Sequence, residues 1–246
     1  MDRLIYTAGS GAKHILEQQA TTSNNLANVS TTGFRAQIDA FRAVPIQGEG
    51  LPTRAFVVDS TVGSDFTPGI LQATGRDLDV AVKGKGWLTV QMPDGTEAYT
   101  RNGAIQMSPN GLLQTMDGKT IAGENGPISI PPDANITIAA DGTVATIPSG
   151  PPPAASTVLG RLKLVNPPEQ DLVRGDDGLF RTKDGSAAPA DGQVKVASGM
   201  LEGSNVSAVD SMVNMINLAR SFETQMSLLK NAENNAAKAS QLLALG

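Results

Sequence analysis

The chain has 246 residues, enough for one substantial domain or two smaller ones. It contains no cysteine, which excludes disulfides, thiolate nucleophiles and cysteine-ligated zinc, and the single histidine, His14, leaves little scope for a catalytic triad or a metal centre. The formal net charge is −5 and no cluster of Lys and Arg occurs, so nucleic acid is disfavoured as a partner. We therefore expect no catalytic, cofactor-binding or metal-binding residues, and no cofactor.

The first predicted element is an N-terminal helix over residues 1–33. Residues at alternating spacings of three and four, the spacing of a helix that packs along another helix, are Ile5, Ala8, Ala12, Ile15, Gln19, Thr22, Leu26 and Val29. Gly9 and Gly11 each weaken helix formation by about 1 kcal/mol relative to Ala, so we expect this helix to depend on a partner. The segment lacks the apolar core of a cleaved signal peptide. The sequence contains no run of about eighteen apolar residues, so no membrane span is predicted.

The middle of the chain has the pattern of β structure. Fourteen of the fifteen prolines lie between Pro52 and Pro189, and short apolar runs end at turn signals such as Asp94-Gly95, Asp117-Gly118 and Asp141-Gly142. We expect strands over 78–82, 87–92, 97–100, 112–116, 128–130, 136–139, 144–147 and 162–165. Residues 34–75 show no sustained periodicity and are interpreted as an extended connector with local β structure. Residues 76–200 form the central β-rich domain, as one unit or two, with an exposed loop over 149–153.

A second long helix is predicted at the C-terminus, over residues 201–246. No Gly or Pro stands between Gly203 and Gly246, so about forty residues can form a helix about 60 Å long. Its predicted apolar stripe comprises Val209, Met212, Ile216, Ala219, Phe222, Met226, Leu229, Ala232, Ala236, Ala239 and Leu243. The expected fold class is thus α+β, in which long N- and C-terminal α-helices form a coiled-coil-like pair and flank a central, mostly antiparallel β domain.

Two motifs carry a resemblance to a known family. The segment from Ser23 to Arg35, SNNLANVSTTGFR, closely resembles the N-terminal signature of flagellar rod, hook and hook-associated proteins. Glu202 to Val206, followed by a Met- and Ala-rich helix, resembles the other signature of that family. The resemblance extends over nearly the whole chain. The segments most like those of its proximal-rod members are residues 5–8, 41–45, 51–54, 86–88 and 94–103. Distal-rod members share the end motifs and the Ala98-Tyr99-Thr100-Arg101 segment.

This resemblance implies a structural role. It predicts a subunit of the proximal part of the basal-body rod, in the part of the flagellum that crosses the periplasm, exported by the flagellar type III apparatus without a cleaved signal peptide. It also predicts assembly with proximal and distal rod proteins and with copies of itself. The predicted assembly interface comprises Ile5, Ala8, Ala12, Ile15, Leu26, Val209, Met212, Ile216, Phe222, Met226 and Leu229. The family motif comprises Ser23, Asn24, Asn25, Leu26, Ala27, Asn28, Gly33 and Phe34, which we interpret as a helix stop and a turn.

Three alternatives stay open at this point. Within the family the chain could be a distal-rod subunit. A peptidoglycan hydrolase would use paired carboxylates from Asp77, Asp79 and Asp94 or from Asp171, Asp176 and Asp177, but surface turns explain these residues as well. A soluble binding module would use its helices to form a small oligomer of defined stoichiometry.

The segment Gly118-Lys119-Thr120 resembles part of a phosphate-binding loop. It lacks the first glycine of that loop and is interpreted as a hairpin turn.

Overall fold

The computed structural model describes residues 2–45, 55–131, 134–148 and 156–244. Within these ranges the chain forms two α-helices, one short 3₁₀ helix and eighteen β-strands. The helices are α1 (Asp2–Ala27) and α2 (Ala208–Ala244), and the 3₁₀ helix is Glu169–Asp171. The strands are β1 (Gln37–Pro45), β2 (Ala55–Ser64), β3 (Leu71–Ala73), β4 (Val80–Lys83), β5 (Trp87–Gln91), β6 (Glu97–Thr100), β7 (Ile105–Met107), β8 (Leu113–Thr115), β9 (Thr120–Gly123), β10 (Gly126–Pro127), β11 (Ala134–Ile138), β12 (Thr143–Pro148), β13 (Thr157–Arg161), β14 (Leu164–Val165), β15 (Leu172–Arg174), β16 (Phe180–Thr182), β17 (Lys195–Ser198) and β18 (Met200–Glu202).

The chain divides into two compact units that are discontinuous in sequence. The helical unit consists of residues 1–29, 36–65 and 206–246, and the β unit consists of residues 30–35 and 66–205. The predicted helical ends therefore belong to one unit, together with the first part of the segment that we interpreted as a connector.

The helical unit contains both α-helices and a long antiparallel hairpin. Strands β1 and β2 pair from Gln37 opposite Ser64 to Pro45 opposite Ala55, with a shift of register between Ala40 and Phe41. The tip of this hairpin, with the predicted 51–54 motif, lies outside the described residues. Helices α1 and α2 approach closely at Gly11, where a β-carbon would lie 3.5 Å from the Gln225 side chain. A small residue at this position allows that approach.

The β unit is built from antiparallel strands. Its largest sheet has the order β15-β16-β6-β5-β9-β8-β7, with β10 added to β9 and β14 added to β5. Strands β11, β12 and β13 form a three-stranded sheet, and β17 pairs with β4 and β18 with β3. The predicted 149–153 loop, between β12 and β13, lies outside the described part of the chain.

Strand β5 shows where the two cores of the β unit lie. Leu88 and Val90 belong to one large aliphatic cluster, whereas Trp87 belongs to a smaller cluster with Tyr99 and Phe180. Because successive side chains of a strand point to opposite faces, the sheet is covered on both faces at β5. Four consecutive buried residues in this strand follow from that arrangement.

The predicted fold class is wrong. That prediction made a coiled-coil-like pair of long helices a main feature of the fold. Among the described residues, however, the two helices contribute only 26 and 37 positions, and most of the body is antiparallel sheet. The helices also do not form a coiled-coil-like pair along the predicted stripe, because Val209, Met212 and Ile216 are exposed to solvent. A coiled-coil seam would bury those side chains.

The error has a specific physical cause in α2. Its inward face carries a second series with the same heptad spacing, namely Ser211, Met215, Leu218, Phe222, Gln225, Leu229 and Ala232, all buried or half-buried. Both series contain apolar residues, so spacing alone does not distinguish them. The inward series includes the polar residues Ser211 and Gln225, so the apolar pattern of the sequence favoured the other series.

Candidate assembly site

The family motif begins at the end of α1. The backbone N–H of Asn28 bonds to the carbonyls of Asn24 and Asn25 at 3.2 and 3.1 Å, and the Asn28 side chain donates to the Asn24 carbonyl at 2.9 Å. These bonds satisfy carbonyl groups that a helix leaves unpaired where it ends. Asn28 therefore caps the C-terminal end of α1 with both its backbone and its side chain.

Asn25 ties the end of α1 to the start of β1. Its side-chain amide donates to the Gln37 carbonyl at 2.9 Å, and its side-chain oxygen accepts from the Gln37 N–H at 2.8 Å. One turn earlier, the Thr21 hydroxyl donates to the Asp39 carboxylate at 2.8 Å. The motif thus sets the position at which the hairpin starts against the helix.

The motif continues in the β unit with Gly33 and Phe34. Gly33 has a positive φ of 70°, and its N–H donates to the backbone carbonyl of Glu202 at 2.7 Å. Phe34 is buried, and the Arg174 guanidinium lies 4.4 Å from its ring centroid, a cation–π distance. Arg174 also donates to the Arg35 carbonyl at 3.0 Å, and burial lowers the pKa of Arg174.

The predicted interface residues of α1 lie mostly on its inward face. Ala8 and Ala12 are buried, and Ile15 and Leu26 are half-buried. The side chain of Ile5 lies outside the described part. The motif residues Ser23, Asn24 and Ala27 are exposed. In this helix the predicted stripe therefore packs within the unit.

The predicted interface residues of α2 divide into two groups. Phe222 and Leu229 are half-buried on the inward face, whereas Met226 is exposed. Val209, Met212 and Ile216 are 71%, 53% and 54% exposed, and they are joined by Val213, which is 51% exposed. We call the four residues Val209, Met212, Val213 and Ile216 the outer patch. They share one helix face because successive members are three, one and three residues apart, so that residues three and four apart are neighbours on the helix surface.

Three of the carboxylates considered for hydrolysis, Asp79, Asp94 and Asp177, have structural partners. Asp79 is buried and pairs with Arg76 at 3.1 Å, and Asp177 pairs with Arg181 at 2.7 Å. Asp94 accepts bonds from the side chain and the backbone of Thr96, which lower its pKa. In the described ranges, no group of three or more potential ligands is placed to hold a metal ion, and neither helix is long and apolar enough to cross a membrane.

Comparison with known proteins identifies the family. Three family models match: "Flagella basal body rod protein" over residues 5–35, "Flagellar hook protein FlgE/F/G D1 domain" over 81–146, and "Flagellar basal body rod FlgEFG protein C-terminal" over 197–242. The chain is 50% identical to the flagellar basal-body rod protein FlgF of Escherichia coli (strain K12) over 251 aligned positions, covering 100% of both proteins. The chain belongs to the flagellar basal-body rod family.

Other members of the rod family agree with this assignment. FlgF of Salmonella typhimurium is 49% identical, with 100% of both proteins covered. The rod protein FlgG of Buchnera aphidicola subsp. Acyrthosiphon pisum is 32% identical, covering 89% of this chain and 92% of that protein. The expected function is confirmed: the protein is a structural subunit of the basal-body rod, located in the basal body, and not an enzyme. Rod-family membership also supports interaction with other rod or hook components.

Two features of the site were missed from sequence. Val213 completes the outer patch, and the adjacency of four apolar residues over two helical turns was the signal that could have shown it. Arg35 and Glu202 belong to the two family signatures, but the sequence did not predict a role for either side chain. They form a buried ion pair of 2.7 Å although they are 167 residues apart, and no local pattern predicts that contact.

Proposed function

We propose that this rod-family protein is a proximal-rod subunit that docks onto neighbouring subunits through the outer patch of α2. Those neighbours are other rod proteins and further copies of this chain. The observation that carries the proposal is the exposure of Val209, Met212, Val213 and Ile216 on one helix face. Adjacent apolar side chains that remain in water mark protein contact surfaces.

The division of α2 into two faces supports this role. The inward face of α2 already packs in its own unit, so the outer patch is available for a second partner. Further along the same outward face the residues become polar, including Arg220, Glu223 and Ser227. The outer patch is therefore confined to the first turns of α2, and Met226, 46% exposed, lies further along the helix. Copies that dock through unlike surfaces add without closing, which suits a rod.

The proximal assignment rests on similarity. Identity to FlgF, which we take as the proximal-rod member of the family, is 50% and 49% in the Escherichia coli and Salmonella typhimurium relatives above. Identity to a FlgG, taken as the distal-rod member, is 32%. We further propose that the chain is exported by the flagellar type III apparatus and assembles in the rod that crosses the periplasm. In this proposal Phe222, Leu229, Ala8 and Ala12 hold the helical unit together, and Met226 extends the exposed contact surface.

The test is a double substitution in the outer patch, Met212→Gln with Ile216→Gln, in a strain whose own copy is deleted. Both side chains are exposed, so the substitution leaves the packing of the unit in place. Loss of two apolar contacts that are central to an interface costs about 2 kcal/mol or more. We expect at least about tenfold less protein in isolated basal bodies and a loss of swimming, with normal export into the medium.

The matched control is Glu223→Gln with Ser227→Gln, two exposed positions further along the same face of α2. The control should enter basal bodies and restore swimming like the unchanged protein. If the patch variant is incorporated as well as the control, the outer patch is not the docking surface. If the patch variant fails to leave the cell, the defect lies in export instead.

A further inference from the structure

A single buried carboxylate meets several remote parts of the β unit. Glu202, in β18, has no exposed surface. Its Oε1 accepts from the Arg35 guanidinium at 2.7 Å and from the Gly69 N–H at 2.8 Å, and its Oε2 lies 3.3 Å from Arg101 Nη1. Its backbone carbonyl accepts from the Gly33 N–H. One residue therefore contacts four others, in three segments that are far apart in sequence.

Three of these contacts involve the segments at which the chain enters or leaves the β unit. That unit consists of residues 30–35 and 66–205, so Gly33, Arg35, Gly69 and Glu202 all lie close to its boundaries in sequence. Further bonds join the same segments. They run from the Gly203 N–H to the Ile70 carbonyl, from the Asn205 N–H to the Phe34 carbonyl and from the Asn205 side chain to the Thr67 carbonyl. The segments 30–35, 66–70 and 202–205 thus meet around Glu202.

The charges at this point are unequal. Two buried guanidinium groups, Arg35 and Arg101, face the one carboxylate of Glu202. Arg101 also donates to the carbonyls of Val82 and Gly84, and the Trp87 ring centroid lies 6.0 and 5.5 Å from the two guanidinium carbons. Burial lowers the pKa of Arg101 to about 10, while the charge of Glu202 acts in the opposite direction. Without Glu202, two like charges would stand buried and unpaired.

We propose that Glu202 acts as a clasp that holds the three boundary segments of the β unit together through its charge. The clasp consists of Glu202, Arg35 and Arg101 with the Gly33 and Gly69 amides. Glu202 is a positioning residue: its ion pair with Arg35 joins the last residue of the first signature to the first residue of the second. All of its atoms lie in the β unit, so the inference is independent of the proposed docking through α2.

The test is Glu202→Gln in the full-length purified protein, with amide hydrogen exchange measured by mass spectrometry. Glutamine has the size of glutamate but no charge, so it leaves Arg35 and Arg101 unpaired. We expect exchange in segments 30–35, 66–70 and 202–205 to become at least about tenfold faster, while β5 remains protected, because local openings need less free energy than global unfolding.

The control is Glu97→Gln, which removes the same charge from another ion pair of the β unit. Glu97 pairs with Lys163 at 2.6 Å, and both side chains are largely buried. This variant should leave the three boundary segments unchanged. The proposal is overturned if Glu202→Gln has no effect on those segments, or if it speeds exchange evenly across the β unit, as a purely global loss of stability would.

A second variant keeps the test valid if Glu202→Gln does not fold. Arg35→Lys retains the positive charge but replaces the planar guanidinium with a single ammonium group. Exchange should rise in the same three segments, by less than the Glu202→Gln prediction. Unchanged exchange in all three segments, or an even increase throughout, would contradict the clasp.

Discussion

At the scale of single residues, Gly33 illustrates a position that only glycine can occupy. Its φ of 70° is in the left-handed region, where a β-carbon adds strain. A β-carbon here would also lie 2.4 Å from the Arg101 carbonyl carbon and 2.4 Å from the Asn102 nitrogen. Neither backbone atom can move easily, so the close approach of two remote segments depends on the missing side chain.

We predict that Gly33→Ala destabilises the protein by about 3 kcal/mol or more, the sum of a backbone strain and a steric clash. Urea unfolding followed by circular dichroism measures this loss. Gly75→Ala is the matched control, because Gly75 has a φ of 71° but nothing lies within 4 Å of its added β-carbon. That control should lose about 1 kcal/mol from the backbone alone. Equal losses in the two variants would show that the contact with residues 101 and 102 is unimportant.

At the scale of elements, the junction between α1 and β1 depends on one side chain. The Asn25 side chain donates to the backbone carbonyl of Gln37 and accepts from its N–H, as the backbone of a neighbouring strand would. Asn24, one residue earlier, is exposed, and its backbone carbonyl accepts the closing bonds of Asn28. The two asparagines are adjacent and similar in sequence but differ in what their side chains do.

We expect Asn25→Ala to lower the free energy of unfolding of the helical unit by about 1–3 kcal/mol, since two backbone groups lose their partners. Asn24→Ala is the control, and it should leave stability unchanged or raise it slightly, because alanine favours a helix and keeps the backbone carbonyl. Helix content at 222 nm during thermal unfolding gives both values. The tie between α1 and β1 is refuted if the two variants unfold at the same temperature.

At the scale of the whole molecule, we expect a recurring turn to make the stability of the β unit depend on pH in acid. Asp94-Gly95-Thr96, Asp141-Gly142-Thr143 and Asp184-Gly185-Ser186 share one arrangement, in which the aspartate accepts from the backbone N–H and hydroxyl two residues later. These hydrogen bonds favour the charged carboxylate. They lower the pKa of all three aspartates, through the Thr96 side chain first at Asp94 and through the Thr143 and Ser186 backbones first at Asp141 and Asp184.

The sign of the pH dependence follows from these shifts. Each carboxylate has a lower pKa in the folded state than the ordinary 3.8, so it stabilises the fold above that pH. That contribution is lost as the pH falls from the ordinary pKa through the folded value. We predict that the free energy of unfolding decreases below about pH 4, and that Asp141→Asn makes this decrease shallower. Urea unfolding at a series of pH values tests this, and an unchanged slope in the variant would contradict it.

The β-strands show how far local sequence specifies the fold. The predictions over 87–92, 97–100 and 112–116 are confirmed by β5, β6 and β8, because apolar runs bounded by Asp-Gly turns have few other conformations. The long hairpin of β1 and β2 was expected only as local pairing in a connector. Its residues alternate weakly and include Pro45, so its length depends on packing in the helical unit, which the sequence does not display.

The sequence by itself determined the two terminal helices and the Asp-Gly hairpin turns, because these rest on neighbouring residues and their spacing. The family and the structural function came from the resemblance of its two motifs to a known family. Only the tertiary structure decided which heptad face of α2 packs inward, why residue 33 must be glycine, and that Arg35 and Glu202 meet in the β unit. The physical reason is the same in all three cases. Periodicity shows that a face can be buried, and charge shows that a residue needs a partner, but the partner is supplied by segments up to 167 residues away.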